Sequence, residues 1–390
     1  MKALVFKDVG KLVLEDRPVP HVQEPDDVVV RVSRVGICGT DVKILEGKHH
    51  FKPDTVLGHE FCGEVVEVGT HVHHLKLGDR VSVDNNIRCG FCTFCRMGLS
   101  SQCVEIKQNA IGVMRDGGYA EYCLVPEKQC YVLPAEIDDV LGSQVETLAT
   151  VVNGMNHLQM MPYDYVLILG FGPIGYLFAQ FAKNIAAKVA VTEIDAFRIG
   201  VARQCGLTVW NPNEVNIEEE VAAFTYGRKA DIVVEATGNA LEQALTCVTP
   251  GGKVLPFGMD SSITASIVPN EVTRWATKII GLYLGQNTMV PSIRIFQEKR
   301  LDMKPFFTRV IPLEQGLEAF SSLGLNPKTL QHGPKTRHRP VPGTLETDHR
   351  RVAGRGRGGL RLAHLLRQLL AAHPQRSVGD RPADAALASP

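Results

Sequence analysis

Cys89, Cys92, Cys95 and Cys103 stand in the run RCGFCTFCRMGLSSQC, with two residues between each of the first three and seven before the last. Two-residue gaps let thiolates on one turning loop converge, and the longer gap brings the fourth back to close a tetrahedron, which is how a closed structural Zn²⁺ site is built. A pair of redox cysteines accounts for two of the four and leaves two over, and four core thiols clustered by chance fit the spacing poorly. Such a lobe occurs in enzymes and in nucleic-acid-binding modules alike, so the rest of the chain decides.

A second constellation is Gly170-Phe171-Gly172-Pro173-Ile174-Gly175, which follows the apolar run VLIL and opens a helical stretch. The first glycine permits a tight turn, the second lets backbone approach a pyrophosphate, and the third lets helix pack on strand. The helix N-terminus then faces the phosphates. Glu193 ends the next strand, VAVTE, where a carboxylate accepts from the adenosine ribose diol and repels a 2′-phosphate; NAD is therefore expected over NADP. Two further elements carry metal-ligating residue types: Cys38 in GICGTD, and His59 with Glu60 in GHEFCGEVVEVG. Taken one at a time, each of these is equally a core or a surface residue.

The elements that must position these groups differ along the chain. Up to about residue 135, short β-branched runs such as LVFKD, DVVVRVSRVG, GEVVEVG and DRVSVD alternate with Gly, Pro and Asp, the texture of a β-rich domain with the cysteine lobe inserted. From Tyr165, strands alternate with helical stretches (VLILG, IGYLFAQFAKNIAA, VAVTE, FRIGVARQCG, DIVVEATG), which means βαβ units and a parallel, doubly wound sheet. After about residue 285 the chain reads as helix and strand again and returns to the first domain. The expected division is 1–150, with the lobe at about 85–105; 151–284; a return segment 285–332; and a tail 333–390.

The 390 residues carry zero formal net charge, with 44% hydrophobic and 22% charged residues. No Lys/Arg run precedes residue 330, so a nucleic-acid surface is not expected. No apolar run is long enough to span a bilayer, and the N-terminus lacks a signal peptide's apolar core; a cytoplasmic protein with no membrane partner is the expectation. Cys62, Cys123, Cys130, Cys205 and Cys247 lie in or beside apolar stretches and read as free thiols. Beyond His332 the composition shifts to Arg, Gly, Pro and Ala, and Lys335 is the last lysine. That tail holds too little apolar surface to offset the entropy of ordering it, so residues after about 333 are expected to be disordered and dispensable, with local helix at most over Gly359 to His373. A basic interaction arm and an out-of-frame extension are the other readings.

GHEFCGEVVEVG, the CGTD element, the four-cysteine lobe and the dinucleotide fingerprint together resemble the zinc-containing medium-chain dehydrogenases, over about residues 1–332. The resemblance implies a GroES-like catalytic domain split around a Rossmann domain, two zinc ions per chain, NAD, and a homo-oligomer, dimer or tetramer. It implies that Cys38 and His59 are ligands of a catalytic zinc, with Glu60 at the position of a carboxylate that binds the metal or swings onto it. Glu146, in SQVETLA, takes the third-ligand position, where sorbitol-type polyol dehydrogenases carry Glu and liver- and yeast-type enzymes carry Cys; Thr147 departs from the usual Pro. Thr40 stands at the proton-relay position, and Lys43 replaces the histidine many relatives have beyond it. Glu193 and Arg198 resemble the pair that holds the adenosine ribose. The implied activity is oxidation of a secondary alcohol of a polyol or cyclitol to a ketone. An L-threonine dehydrogenase is the alternative within the family. A zinc- and NAD-binding sensor without turnover needs no Cys38/His59 pair.

Overall fold

The structure, a computed structural model, describes residues 1–306 and 309–322 together with the backbone of strand 344–346. Two sheets build the first domain. In the smaller, β1 (Lys2–Asp8) pairs antiparallel with β2 (Lys11–Asp16) on one side and β4 (Thr55–Val56) on the other. The larger is centred on β3 (Asp27–Gly36), whose Val28, Val30 and Val32 are buried while Arg31 is exposed. β5 (Phe61–Val68) and β7 (Tyr122–Pro126) flank β3, and β6 (Arg80–Val83) and β8 (Cys130–Val132) continue outward from β5. The β-branched side chains of these strands interdigitate with Phe6, Ile44, Phe61 and Tyr119 in one apolar core.

The second domain is a six-stranded parallel sheet of β9 (Tyr165–Leu169), β10 (Lys188–Thr192), β11 (Thr208–Trp210), β12 (Ala230–Glu235), β13 (Val248–Pro256) and β14 (Lys278–Ile279). Their order, β11-β10-β9-β12-β13-β14, reverses at β9, so the carboxyl ends of β9 and β12 open a crevice at the switch point. The helix Pro173–Ile185 starts with proline in its first turn, where a missing N–H costs nothing. It buries Leu177, Phe178 and Phe181 against the sheet, each contributing roughly 1.5–3 kcal/mol relative to exposure. The same core takes in the helix Val145–Leu158, which comes between the two domains in the chain, and the helix Met289–Gln297.

The chain then returns to the large sheet through β15 (Val310–Pro312), and the tail supplies β16 (Thr344–Glu346). β16 lies between the two, parallel to β15 and antiparallel to β3, with Thr344 opposite Gly36 and Glu346 opposite Arg34. Disorder throughout the tail is therefore corrected at these three residues. Backbone pairing asks little of side-chain type, so an argument from apolar content does not detect a strand that fills an open edge. The other expectations for the tail, its local helix included, lie outside the described residues.

Candidate active site and metal centres

The four lobe cysteines converge: their sulfur atoms lie within 4.8 Å of one another. Backbone amides point into the cluster, from Cys92 and Phe91 to Cys89 Sγ at 3.3 and 3.4 Å, and from Cys89 to Cys103 Sγ at 3.3 Å. Amide donation from Cys95 and Val104 holds the Cys92 thiol down to about 6, so it is ready to ligate as thiolate. Four sulfurs at this separation, fed by amide donors, suit a tetrahedral Zn²⁺.

The second cluster brings together residues distant in sequence. Cys38 caps the helix Gly39–Leu45, and its Sγ lies 3.5 Å from the Thr40 amide. His59 and Glu60 stand where the chain enters β5, next to β3 in the sheet. Ligand atoms of Cys38, His59 and Glu60 lie within 4.8 Å of one another, with His59 and Glu60 buried. Gly36 makes room for this: a Cβ there would come within 2.4 Å of Glu60 Oε2 and 2.6 Å of Gln144 Nε2. Glu146 is not among those three. It occupies the first turn of the helix Val145–Leu158, buried, and near enough to His59 and Glu60 to feel both charges.

Asp41 and Tyr119 complete the site, and the sequence reading assigned neither a role. Asp41, fully buried, faces His59 Nδ1 with Oδ1 at 3.4 Å and accepts from the Cys38 amide with Oδ2 at 2.9 Å. The Tyr119 hydroxyl lies 2.7 Å from Asp41 Oδ2 and 3.1 Å from the Gly36 carbonyl; its single proton favours the nearer carboxylate. A carboxylate turned toward Nδ1 leaves Nε2 as the nitrogen available to a metal, the arrangement by which outer residues fix a histidine ligand's tautomer. The only signal for Asp41 was its place three residues after a helix cap.

The electrostatics fit a divalent cation. Burial pushes the Cys38 thiol and the Glu60 carboxyl up, and pushes Glu146 up to about 8. Burial alone would lower His59, but Asp41 and Cys38 outweigh it and hold the imidazole well above its usual range. One thiol and three carboxyls (Asp41, Glu60 and Glu146) thus share a dry site with a single imidazole, and Arg88, whose charge reaches Glu146, is paired with Asp84 at 2.5 Å. A sulfur, a nitrogen and carboxylate oxygens form a donor set suited to Zn²⁺, and ligation would take the protons these groups hold. Thr40 is half-buried beside Cys38, and Lys43 is half-buried one turn on.

At the crevice, the three glycines differ as their expected roles require. Gly170 has φ +91°. A Cβ on Gly172 would meet nothing within 4 Å, leaving its backbone open to a phosphate, whereas one on Gly175 would strike the Gly170 carbonyl at 2.0 Å. Pro173 and Ile174 form the first turn of the helix. Glu193 Oε1 accepts from the amides of Ile194 and Asp195 and from Arg198 Nη2 at 2.9 Å; Oε2 takes only the Phe171 amide, at 3.1 Å. Through Phe171 the carboxylate is tied to the glycine turn itself.

The alcohol dehydrogenase GroES-like domain family matches residues 24–135, and the zinc-binding dehydrogenase family matches residues 173–298. A sorbitol dehydrogenase of Bacillus subtilis is 28% identical over 82% of this chain and 92% of its own length. An L-threonine 3-dehydrogenase of Pyrococcus abyssi is 35% identical over 77% of this chain and 87% of its own. Among solved structures, a zinc-binding dehydrogenase from Sinorhizobium meliloti bound to NADP superposes with a TM-score of 0.80 at 29% identity, covering 88% of this chain and 98% of that one. With both domain families matched in order around this cleft, the chain belongs to the zinc-containing medium-chain dehydrogenases and is an alcohol oxidoreductase.

Proposed function

We propose that this chain oxidises a secondary alcohol of a polyol or cyclitol to a ketone, with NAD as acceptor, a catalytic zinc at Cys38, His59, Glu60 and Glu146, and a structural zinc at the four lobe cysteines. The observation that carries the substrate class is Glu146 itself, buried in the first turn of the helix Val145–Leu158 within reach of the His59 and Glu60 charges, at the position where sorbitol-type polyol dehydrogenases carry Glu.

When bound, the metal supplies a Lewis acid that lowers the alcohol's pKa, and the nicotinamide supplies the hydride acceptor. The chain's own groups orient and move protons. Asp41 fixes the His59 ring, burial of Glu60 and Glu146 excludes water, and Thr40, at the rim beside Cys38, takes the alcohol proton outward.

An L-threonine dehydrogenase is the second reading, favoured by relatives of that name at up to 35% identity. NADH production measured over a panel of acyclic polyols, inositols, deoxyaminocyclitols and L-threonine decides between them. The polyol reading expects kcat/KM for the best polyol or cyclitol to exceed that for threonine at least tenfold; the reverse ranking sinks it.

For the coenzyme, Glu193 sets a preference for NAD. Glu193→Ser is expected to narrow the NAD/NADP ratio of kcat/KM by about tenfold or more, because the repulsion toward a 2′-phosphate is gone while Arg198 remains. Equal use of both coenzymes by the unaltered protein would refute the assignment. A second copy of this chain is the proposed partner: β14 leaves one edge of the parallel sheet open, and Ile263, Ile267, Val268 and Trp275 are exposed in the segment leading to it. Sedimentation of the purified protein reads that state directly.

A further inference from the structure

The cysteine lobe is bound to the rest of the protein at one notable place. Within it Phe91, Phe94, Met97, Leu99 and Val104 are exposed, so the loop has little apolar core of its own and takes its shape from the four converging thiols. From this loop and the residue before it, contacts run to the same short segment nearly 200 positions away. Arg88 Nη2 donates to the Gly285 carbonyl at 2.8 Å, Ser101 Oγ donates to Gln286 Oε1 at 3.1 Å, and Gln286 Nε2 donates to the Gly98 carbonyl.

That segment, Leu284 to Thr288, is strained and is held on its other side by the helix carrying Glu146. Leu284 adopts φ of +59°, a conformation that a leucine holds only when its surroundings impose it, and Asn287, a residue type that enters this region more readily, has φ of +57°. Asn153 Nδ2 donates to the Leu284 carbonyl at 2.7 Å, and Thr288 Oγ1 donates to the Ala149 carbonyl at 2.7 Å. A Cβ on Gly285 would sit 3.2 Å from that of Ala149. Ala149 lies three residues after Glu146, on the same face of the helix.

We propose that Gln286, with Arg88 and Ser101, is a positioning residue that makes the cysteine lobe part of the frame holding Glu146. The lobe, closed by its metal, imposes the left-handed conformation on the 284–288 strap, and the strap fixes the first turns of the helix Val145–Leu158. Lobe and catalytic cleft are thereby one mechanical unit, and the closed metal site governs the geometry of the open one. The kinetic consequence rests on the reading of Glu146 as a catalytic-site ligand; the structural consequence does not.

The test uses the full, metal-loaded chain with Gln286→Ala, Ser101→Ala and Ser101→Thr. Hydrogen exchange is expected to quicken about tenfold in peptides covering 145–149 and 284–288 in both alanine variants, with both zinc ions retained, and to return toward the parent in Ser101→Thr. kcat should fall about tenfold in the alanine variants while coenzyme affinity is unchanged, the mark of misplaced reacting groups. The double alanine variant should do no more than Gln286→Ala alone, since the hydrogen bond of Ser101 to the strap is made to Gln286. Exchange that quickens only within 89–103, or that is unchanged everywhere, overturns the proposal. Quickened exchange at 145–149 with kcat unaltered keeps the coupling and removes Glu146 from the catalytic site.

Discussion

Cys38→Ser is expected to leave the protein folded with one zinc ion in place of two, and with turnover reduced by about 10³-fold or more. The two effects separate because of where Cys38 sits. As the N-cap of the helix Gly39–Leu45, its side chain accepts from the Thr40 amide, and serine is among the best residues at such a cap. Its backbone amide still donates to Asp41 Oδ2, and the Tyr119 hydroxyl still donates to the same oxygen. What serine removes is the soft ligand of a buried site that then holds an imidazole and carboxyls alone. Metal analysis on the purified variant, set beside its thermal transition, measures both effects. Cys95→Ser should do the opposite, lowering solubility and the transition temperature while the catalytic metal stays. Full activity in Cys38→Ser would remove Cys38 from the chemistry.

The second large effect is expected at the other end of the chain. Truncation after His332 removes β16 and opens one edge of β3 from Arg34 to Gly36, whose other edge stays on β5, together with the facing edge of β15. Gly36 is two residues from Cys38 and packs against Glu60, so the loss is felt at the site. The shortened protein should be largely insoluble, or unfold several degrees lower with weakened retention of the catalytic metal. Truncation after Arg350, which keeps β16, should behave as the parent. If the chain ending at His332 is as soluble, stable and active as the whole, β16 contributes nothing.

Much of the architecture was legible because it is written in local periodicity. The parallel sheet follows from apolar runs such as VLIL and DIVVE separated by helical stretches, and each glycine of the turn has the conformation or clearance its spacing suggested. The lobe was legible because its four donors lie in one short loop. Cys38, His59 and Glu60 were not legible in that way, since only the pairing of β3 with β5 brings them together, and it was resemblance rather than spacing that joined them. Asp41 and Tyr119 escaped entirely: an aspartate at a helix start reads as a cap, and a tyrosine 78 positions on gives no sign that its hydroxyl will reach it. β16 escaped because composition measures what a segment can bury by itself, while this strand is held by edges that other strands leave open.

The placement of β16 also sets an order of events at the ribosome. β3 is made near the start of the chain, and the strand that completes its edge arrives about 300 residues later, roughly 15–60 s at ordinary rates of synthesis. Through that interval the parallel sheet can form by itself, but the first domain carries an open edge next to the Gly36–Cys38 turn. The nascent chain is therefore exposed to edge-to-edge pairing with its neighbours on the polysome, and its yield depends on how quickly its last segment is delivered.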